Sequence, residues 1–152
     1  MDLILWRHAQ AEVGEPDFGR VLTAQGRKQA TKMATWLDRS LPSGCRILCS
    51  PTARTVQTAE ALDRKFKIVP ELGPLALPEE ALAVAGWPDA RGAVMLIGHQ
   101  PWLGQLASLL LTGVAKDLTI KKSNAWWIAR RQRDQGNELY LRAVLAPDFF
   151  LD

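Results

Sequence analysis

The chain has only two histidines, His8 and His99, and each stands at the end of a short apolar run. Leu3 to Trp6 leads through Arg7 to His8, and Val94 to Ile97 leads through Gly98 to His99. A further run, Ile47 to Cys49, is followed closely by Arg54. Two arginines offer forked donors that match the oxygens of a phosphate. Helix N-termini next to them would add positive dipole ends. A neutral imidazole in such an anion site can attack phosphorus in line and take up the phosphoryl group. The surrounding positive charge would stabilise that group in transit. It would also disfavour a proton on the imidazole and so keep it nucleophilic.

The elements between these residues must bring them together. Continuous apolar runs suit strands buried on both faces, as in a parallel sheet. Residues 8–22 are polar and broken by Gly14, Pro16 and Gly19, so they read as a loop. Thr23 is placed to cap a helix with Ala30, Met33, Ala34 and Leu37 on one face, ending near Pro42. Arg46–Cys49 is a second strand. Ser50 as cap and Pro51 at the first helical position predict a helix running to about Phe66. Lys67–Val69 is a third short strand, and Glu79–Ala85 a short helix. Ala93–Ile97 is the clearest strand, followed by a helix over about Trp102–Leu111. Ala125–Ala129 and Glu138–Leu145 flank Asp134-Gln135-Gly136-Asn137 as an antiparallel hairpin. Strands alternating with helices imply a single α/β domain over residues 1–152, with a mostly parallel sheet covered on both faces and the hairpin at one side. Ligands bind such sheets beyond the carboxyl ends of the strands. If the three strands are parallel neighbours, Arg7, His8, Arg54 and His99 converge at one edge.

The same residues carry a family resemblance. Arg7-His8-Ala9 resembles the Arg-His-Gly motif of the histidine phosphatases. Leu22-Thr23-Ala24-Gln25-Gly26 resembles the segment that opens their first helix. Ser50-Pro51-Thr52-Ala53-Arg54-Thr55-Val56-Gln57-Thr58-Ala59-Glu60 resembles their S-P-x-x-R-x-x-Q-T-A-E segment, and Gly98-His99-Gln100-Pro101 their second-histidine segment. All occur in the family's order. The compact chain is most similar to the SixA-type phosphohistidine phosphatases of that superfamily. The resemblance implies a three-layer α/β/α sandwich with the phosphoglycerate mutase-like fold. It implies His8 as nucleophile, Arg7 and Arg54 as phosphate ligands, and His99 as a hydrogen-bond donor completing the pocket, with no metal and no cofactor. The chain departs from the motif at Ala9, where glycine would permit a positive φ or a close backbone approach.

The general acid is the other departure. Glu71, Glu79 and Glu80 are the available carboxylates, and Glu79 and Glu80 are the named candidates, although both also suit the first turn of a helix. An alkoxide leaving group needs a proton donor. The imidazole of phosphohistidine leaves more easily, because its other nitrogen carries a proton near neutrality. The roughly 45 residues from Arg54 to His99 leave little room for a cap over the site. Both points favour a histidine-phosphorylated protein as substrate and disfavour mutase chemistry. A small-metabolite phosphomonoesterase and a catalytically silent phosphoprotein-binding module are the competing readings.

Composition bounds the remaining choices. The chain of 152 residues, 47% hydrophobic and 23% charged, is ordinary for one globular domain. Its first residues lack the basic start and long apolar stretch of a secretory signal, and no run approaches the roughly 20 apolar residues that span a bilayer. A cytoplasmic monomer acting on a phosphate-bearing substrate is expected, with neither membrane nor nucleic acid as partner. Cys45 and Cys49 read as reduced core thiols. A net charge of +3 is too mild to argue for nucleic acid. Lys121-Lys122 and Arg130-Arg131-Arg133 read as a solvated strand surface, and Asp17 and Arg20 as solvated loop residues. Trp6, Trp36, Trp102 and one of Trp126 and Trp127 are assigned to the core, and the tail from Pro147 to Leu151 is expected to pack back on the domain.

Overall fold

The computed structural model describes residues 1–150. Strands β1 (Asp2–Arg7), β2 (Arg46–Cys49), β3 (Lys67–Ile68), β4 (Ala93–Gly98), β5 (Ala125–Arg133) and β6 (Gly136–Leu145) form one sheet in the order β3-β2-β4-β1-β5-β6. The first four in sequence are mutually parallel where they pair, and the β5–β6 hairpin is antiparallel and joins β1. Helices α1 (Ala24–Ser40), α2 (Ala53–Glu60), α3 (Pro78–Ala85) and α4 (Trp102–Thr112) complete a three-layer α/β/α sandwich with the phosphoglycerate mutase-like fold.

Alternation along the strands builds two cores. Ile4, Trp6, Met95 and Ile97 pack with Met33, Leu37 and Ala59 of α1 and α2. Leu3, Leu5, Val94 and Leu96 pack with Ala81, Leu103 and Leu106 of α3 and α4. β1 and β4 have every residue but Arg7 buried, as strands covered on both faces require. Burying each such Leu or Ile contributes about 1.5–3 kcal/mol. Trp6, Trp102 and Trp127 lie in the core, and Trp36 is half-buried against Trp127 and Phe150. Pro147 is buried and Phe150 returns to the domain, whereas Phe149 is exposed; Leu151 lies outside the described residues.

The connections define where the site must be. From β1 the chain passes through α1 on one face to β2; from β4 it passes through α4 on the other face to β5. β1 and β4 are neighbours, with Arg7 opposite Gly98. Their outgoing connections diverge to opposite faces and open a crevice at the carboxyl edge between them. His8 and His99 are the residues that follow these two strands.

Two helix boundaries differ from the sequence expectation. Ser50 does not cap α2: its N–H continues the sheet ladder by donating to the Ile97 carbonyl at 3.0 Å. The cap is Thr52, whose hydroxyl accepts from the Thr55 N–H. Nor does α2 reach Phe66. Bonds of Ala61, Leu62 and Asp63 to carbonyls three residues back tighten the last turn, and Asp63 takes a left-handed φ of 52°. The hairpin is also tighter than expected, with Arg133 paired to Gly136 and only Asp134-Gln135 between the strands.

Candidate active site

β1 and β4 deliver the two imidazoles side by side, with ring centroids 5.3 Å apart. Both are buried. The His8 N–H extends the ladder to the Gly98 carbonyl at 3.1 Å, which fixes the backbone of one histidine to the strand carrying the other. His8 Nδ1 lies 2.8 Å from the Ala9 carbonyl oxygen. A carbonyl only accepts, so Nδ1 carries the proton and Nε2 presents its lone pair.

Burial is the main reason His8 titrates low, at about 4; Arg7, Arg54 and Lys122 add to it, while the Ala9 carbonyl opposes. Burial likewise holds His99 down to about 3, with His8, Arg54 and Arg7 adding to the effect. Both rings are therefore neutral at pH 7. The neutral His99 ring has one proton to place. Its Nε2 is 2.7 Å from the Ser50 hydroxyl, and its Nδ1 is buried without a hydrogen-bond partner among the described residues. If Ser50 donates to Nε2, Nδ1 keeps the proton and offers it to a ligand.

Arg7 and Arg54 complete the centre, and their charges reach both histidines. Arg7 is anchored by Nη1 donating to the Ile120 carbonyl at 3.0 Å. Arg54, in the first turn of α2 and only 4% exposed, donates from Nη1 to the Asp17 carbonyl and from Nη2 to the Asp17 carboxylate, at 2.9 and 3.2 Å. Arg7 Nε, Arg54 Nε and His99 Nδ1 are buried with no hydrogen-bond partner among the described residues. Buried donors left unpaired cost about 1–3 kcal/mol each. Three such donors, on the residues expected to hold a phosphate, are what the oxygens of a bound anion would satisfy. Strands β1 and β4 place Arg7, His8 and His99, α2 places Arg54, and the helix starts at Ala53 and Trp102 stand at the same edge.

The remaining motif residues hold the loop after His8. Gln57 accepts the Leu22 N–H at 2.7 Å, and Thr58 accepts the Ala9 N–H at 3.0 Å while donating to the Arg54 carbonyl at 2.8 Å. Gly26 brings the first turn of α1 against the Gln10 carbonyl, where a Cβ would collide. Ala9 needs no glycine: its φ is not positive, and its methyl is buried with Leu22 and Ala30.

Several residues have roles the sequence reading did not give them. Ser50 is a partner of His99. Asp17 is not merely solvated but pairs with Arg54 and Arg20. Weak burial raises its pKa, but the bonds from Arg20 and Arg54 outweigh this and lower it, so Asp17 is ionised at pH 7. Lys121 and Lys122 precede β5 and line a cleft beside Arg7. Arg131 is bonded to the buried Asp2 at 2.6 Å. Trp102 belongs to the core, its ring against Gly98 and its Nε1 donating to the Gly73 carbonyl. Glu80 accepts the Leu77 N–H at 3.1 Å and lines a cleft with Asp17, Phe18 and Glu71; Glu79 is exposed on α3. Among the described residues, no group of three or more His, Cys, Asp or Glu side chains is arranged to hold a metal ion.

Comparison with known proteins places this geometry in a class. Residues 3–75 match the family model described as the histidine phosphatase superfamily, branch 1. An uncharacterised protein of Picosynechococcus sp. is 32% identical over 174 residues, covering 99% of each chain. The chain belongs to the histidine phosphatase superfamily. Within it, the likeness is to SixA-type phosphatases. The candidate phosphohistidine phosphatase SixA of Agrobacterium tumefaciens is 27% identical, with a TM-score of 0.78 over 96% of this chain and 97% of that one. Its counterpart from Nakamurella multipartitia is 25% identical, with a TM-score of 0.77 over 96% and 95%.

Proposed function

We propose that the chain is a metal-independent phosphohistidine phosphatase acting on a histidine-phosphorylated protein through a phospho-His8 intermediate. The observation that carries this reading is the pairing of a neutral His8, its Nε2 lone pair exposed by the Nδ1 bond to Ala9, with three unpaired buried donors on Arg7, Arg54 and His99. The SixA likeness supports the choice of substrate.

His8 Nε2 attacks phosphorus. The P–N bond to the substrate imidazole breaks, the leaving nitrogen keeps the electron pair, and the proton already on the other ring nitrogen makes the leaving group a neutral imidazole. Water then attacks phospho-His8, the new P–N bond breaks, and inorganic phosphate departs with His8 neutral again. The sum is phosphohistidine plus water giving histidine plus phosphate. Arg7, Arg54 and His99 Nδ1 bind the phosphoryl oxygens in both steps. Because the first leaving group is an imidazole, Glu79 and Glu80 are not obligatory proton donors in this scheme. The protein is read as a cytoplasmic monomer; no helix among the described residues is long and apolar enough to cross a membrane.

The test is phosphate release with chelator present, comparing a histidine-phosphorylated phosphotransfer domain with a panel of phosphomonoesters. Fast release from the protein and slow release from the esters supports the proposal. Preference for a small ester moves the substrate to metabolism, and tight binding without turnover leaves a binding module.

A further inference from the structure

Beside the nucleophile lies a cleft of about 590 Å³ that the chemistry above does not use. Lys28 and Lys32, one turn apart on α1, line it together with Arg7 and with Lys121 and Lys122 from the segment before β5. Among the described residues, Asp148 is the one acidic residue lining it. Lysines about ninety residues apart in the chain are thus gathered next to a phosphate ligand. The cleft is electrically continuous with the reaction centre: Lys122 is among the charges acting on His8. The cleft that includes Asp17, the partner of Arg54, differs in character, with Phe18, Leu75, Glu71 and Glu80 in its lining.

We infer that this lysine cleft docks carboxylate side chains of the protein substrate that flank its phosphorylated residue. The inference rests on the proposed phosphatase reading and adds the charge of the partner. Lys28, Lys121 and Lys122 are exposed. They are hydrated point charges on long flexible stems, not a buried fork converging on one spot. Such an arrangement suits several dispersed carboxylates better than one compact second phosphate. Charges of this kind act chiefly on encounter and specificity, raising association rates by about ten- to a thousandfold at low salt.

The test uses two phosphohistidine peptides that differ only in flanking residues, glutamates in one and glutamines in the other. The wild-type chain is compared with Lys28→Glu/Lys121→Glu, which changes two exposed side chains outside the reaction centre. Wild-type kcat/KM at low salt is expected to be about tenfold higher on the glutamate peptide. That advantage should vanish in the double variant and near about 1 M salt, where the Debye length is about 3 Å. The kcat/KM for the glutamine peptide and for p-nitrophenyl phosphate should stay unchanged in the variant. Equal rates on the two peptides in wild type, or an equal loss on both in the variant, overturns the inference. So does a loss confined to a small bisphosphate such as 2,3-bisphosphoglycerate, which would make the cleft a small-anion subsite. Fluorescence anisotropy of the same labelled peptides separates the two claims. If no peptide is hydrolysed, the phosphatase reading fails, while a charge-dependent affinity lost in the variant still supports the cleft and its absence rejects it.

Discussion

The Ser50 hydroxyl lies 2.7 Å from His99 Nε2, so a residue whose sequence suggests a helix cap instead orients the second histidine of the centre. For a neutral His99 to donate to a phosphoryl oxygen from Nδ1, its Nε2 must be unprotonated, and the Ser50 hydroxyl stands where it can donate a hydrogen bond to that nitrogen. Ser50→Ala removes the donor without altering the strand, because the Ser50 N–H and C=O are used by Ile97 and Thr55. We expect kcat to fall by about ten- to a hundredfold with a smaller change in KM, as for a displaced catalytic group. Ser50→Thr, which keeps the hydroxyl, should recover part of the loss. Steady-state kinetics on p-nitrophenyl phosphate reads both variants; an unchanged kcat in Ser50→Ala would remove Ser50 from the account.

Asp17 holds Arg54 by both a carbonyl and a carboxylate, and Arg54 Nε has no hydrogen-bond partner among the described residues. In Asp17→Ala the backbone contact remains but the side-chain anchor is gone. If Arg54 holds phosphate as proposed, its misplacement predicts a loss of kcat/KM of about tenfold or more. Asp17→Asn keeps an acceptor and should retain most activity. Equal losses in the two variants would mean that the negative charge, not the anchoring, is what matters.

Proton linkage gives a stability prediction. Unfolded histidine titrates near 6.5, whereas His8 and His99 in the fold titrate at about 4 and about 3. Between these values the unfolded chain binds protons that the folded chain refuses, so acidification favours unfolding. The stabilisation is fully present above pH 6.5 and is lost as pH falls through the folded values. Each histidine contributes a slope of up to about 1.4 kcal/mol per pH unit within its window. Urea unfolding between pH 7 and 4.5 should show this decline, and it should flatten in His8→Asn/His99→Asn. A decline of the same slope in the double variant would place its origin in other groups.

Much of this was legible before the structure. The apolar runs at Leu3–Trp6 and Val94–Ile97 are dense enough to be strands buried on both faces, and a residue just beyond such a strand must sit at the sheet edge. That logic places Arg7, His8 and His99 at the edge, and the run Ile47–Cys49 places Arg54 there in the same way; their proposed roles come from the resemblance. Tertiary hydrogen bonds were not legible. Ser50-Pro51 looks locally like a helix start, and only pairing of the Ser50 N–H with β4 keeps it in the sheet. Asp17 and Lys121-Lys122 look like solvated charges because nothing in their own segments reveals Arg54 or α1 across from them. Thr58 and Gln57 were visible as motif letters, but their work on the loop after His8 depends on a contact with Ala9 and Leu22 far along the chain.

The most direct measurement is rapid-quench trapping of the enzyme during turnover of ³²P-labelled phosphohistidine substrate, with chelator present. A burst of label on the protein is expected that is stable to alkali, labile to acid and mapped by mass spectrometry to His8, with none in His8→Ala. Turnover without labelled enzyme, or label retained in His8→Ala, would contradict it.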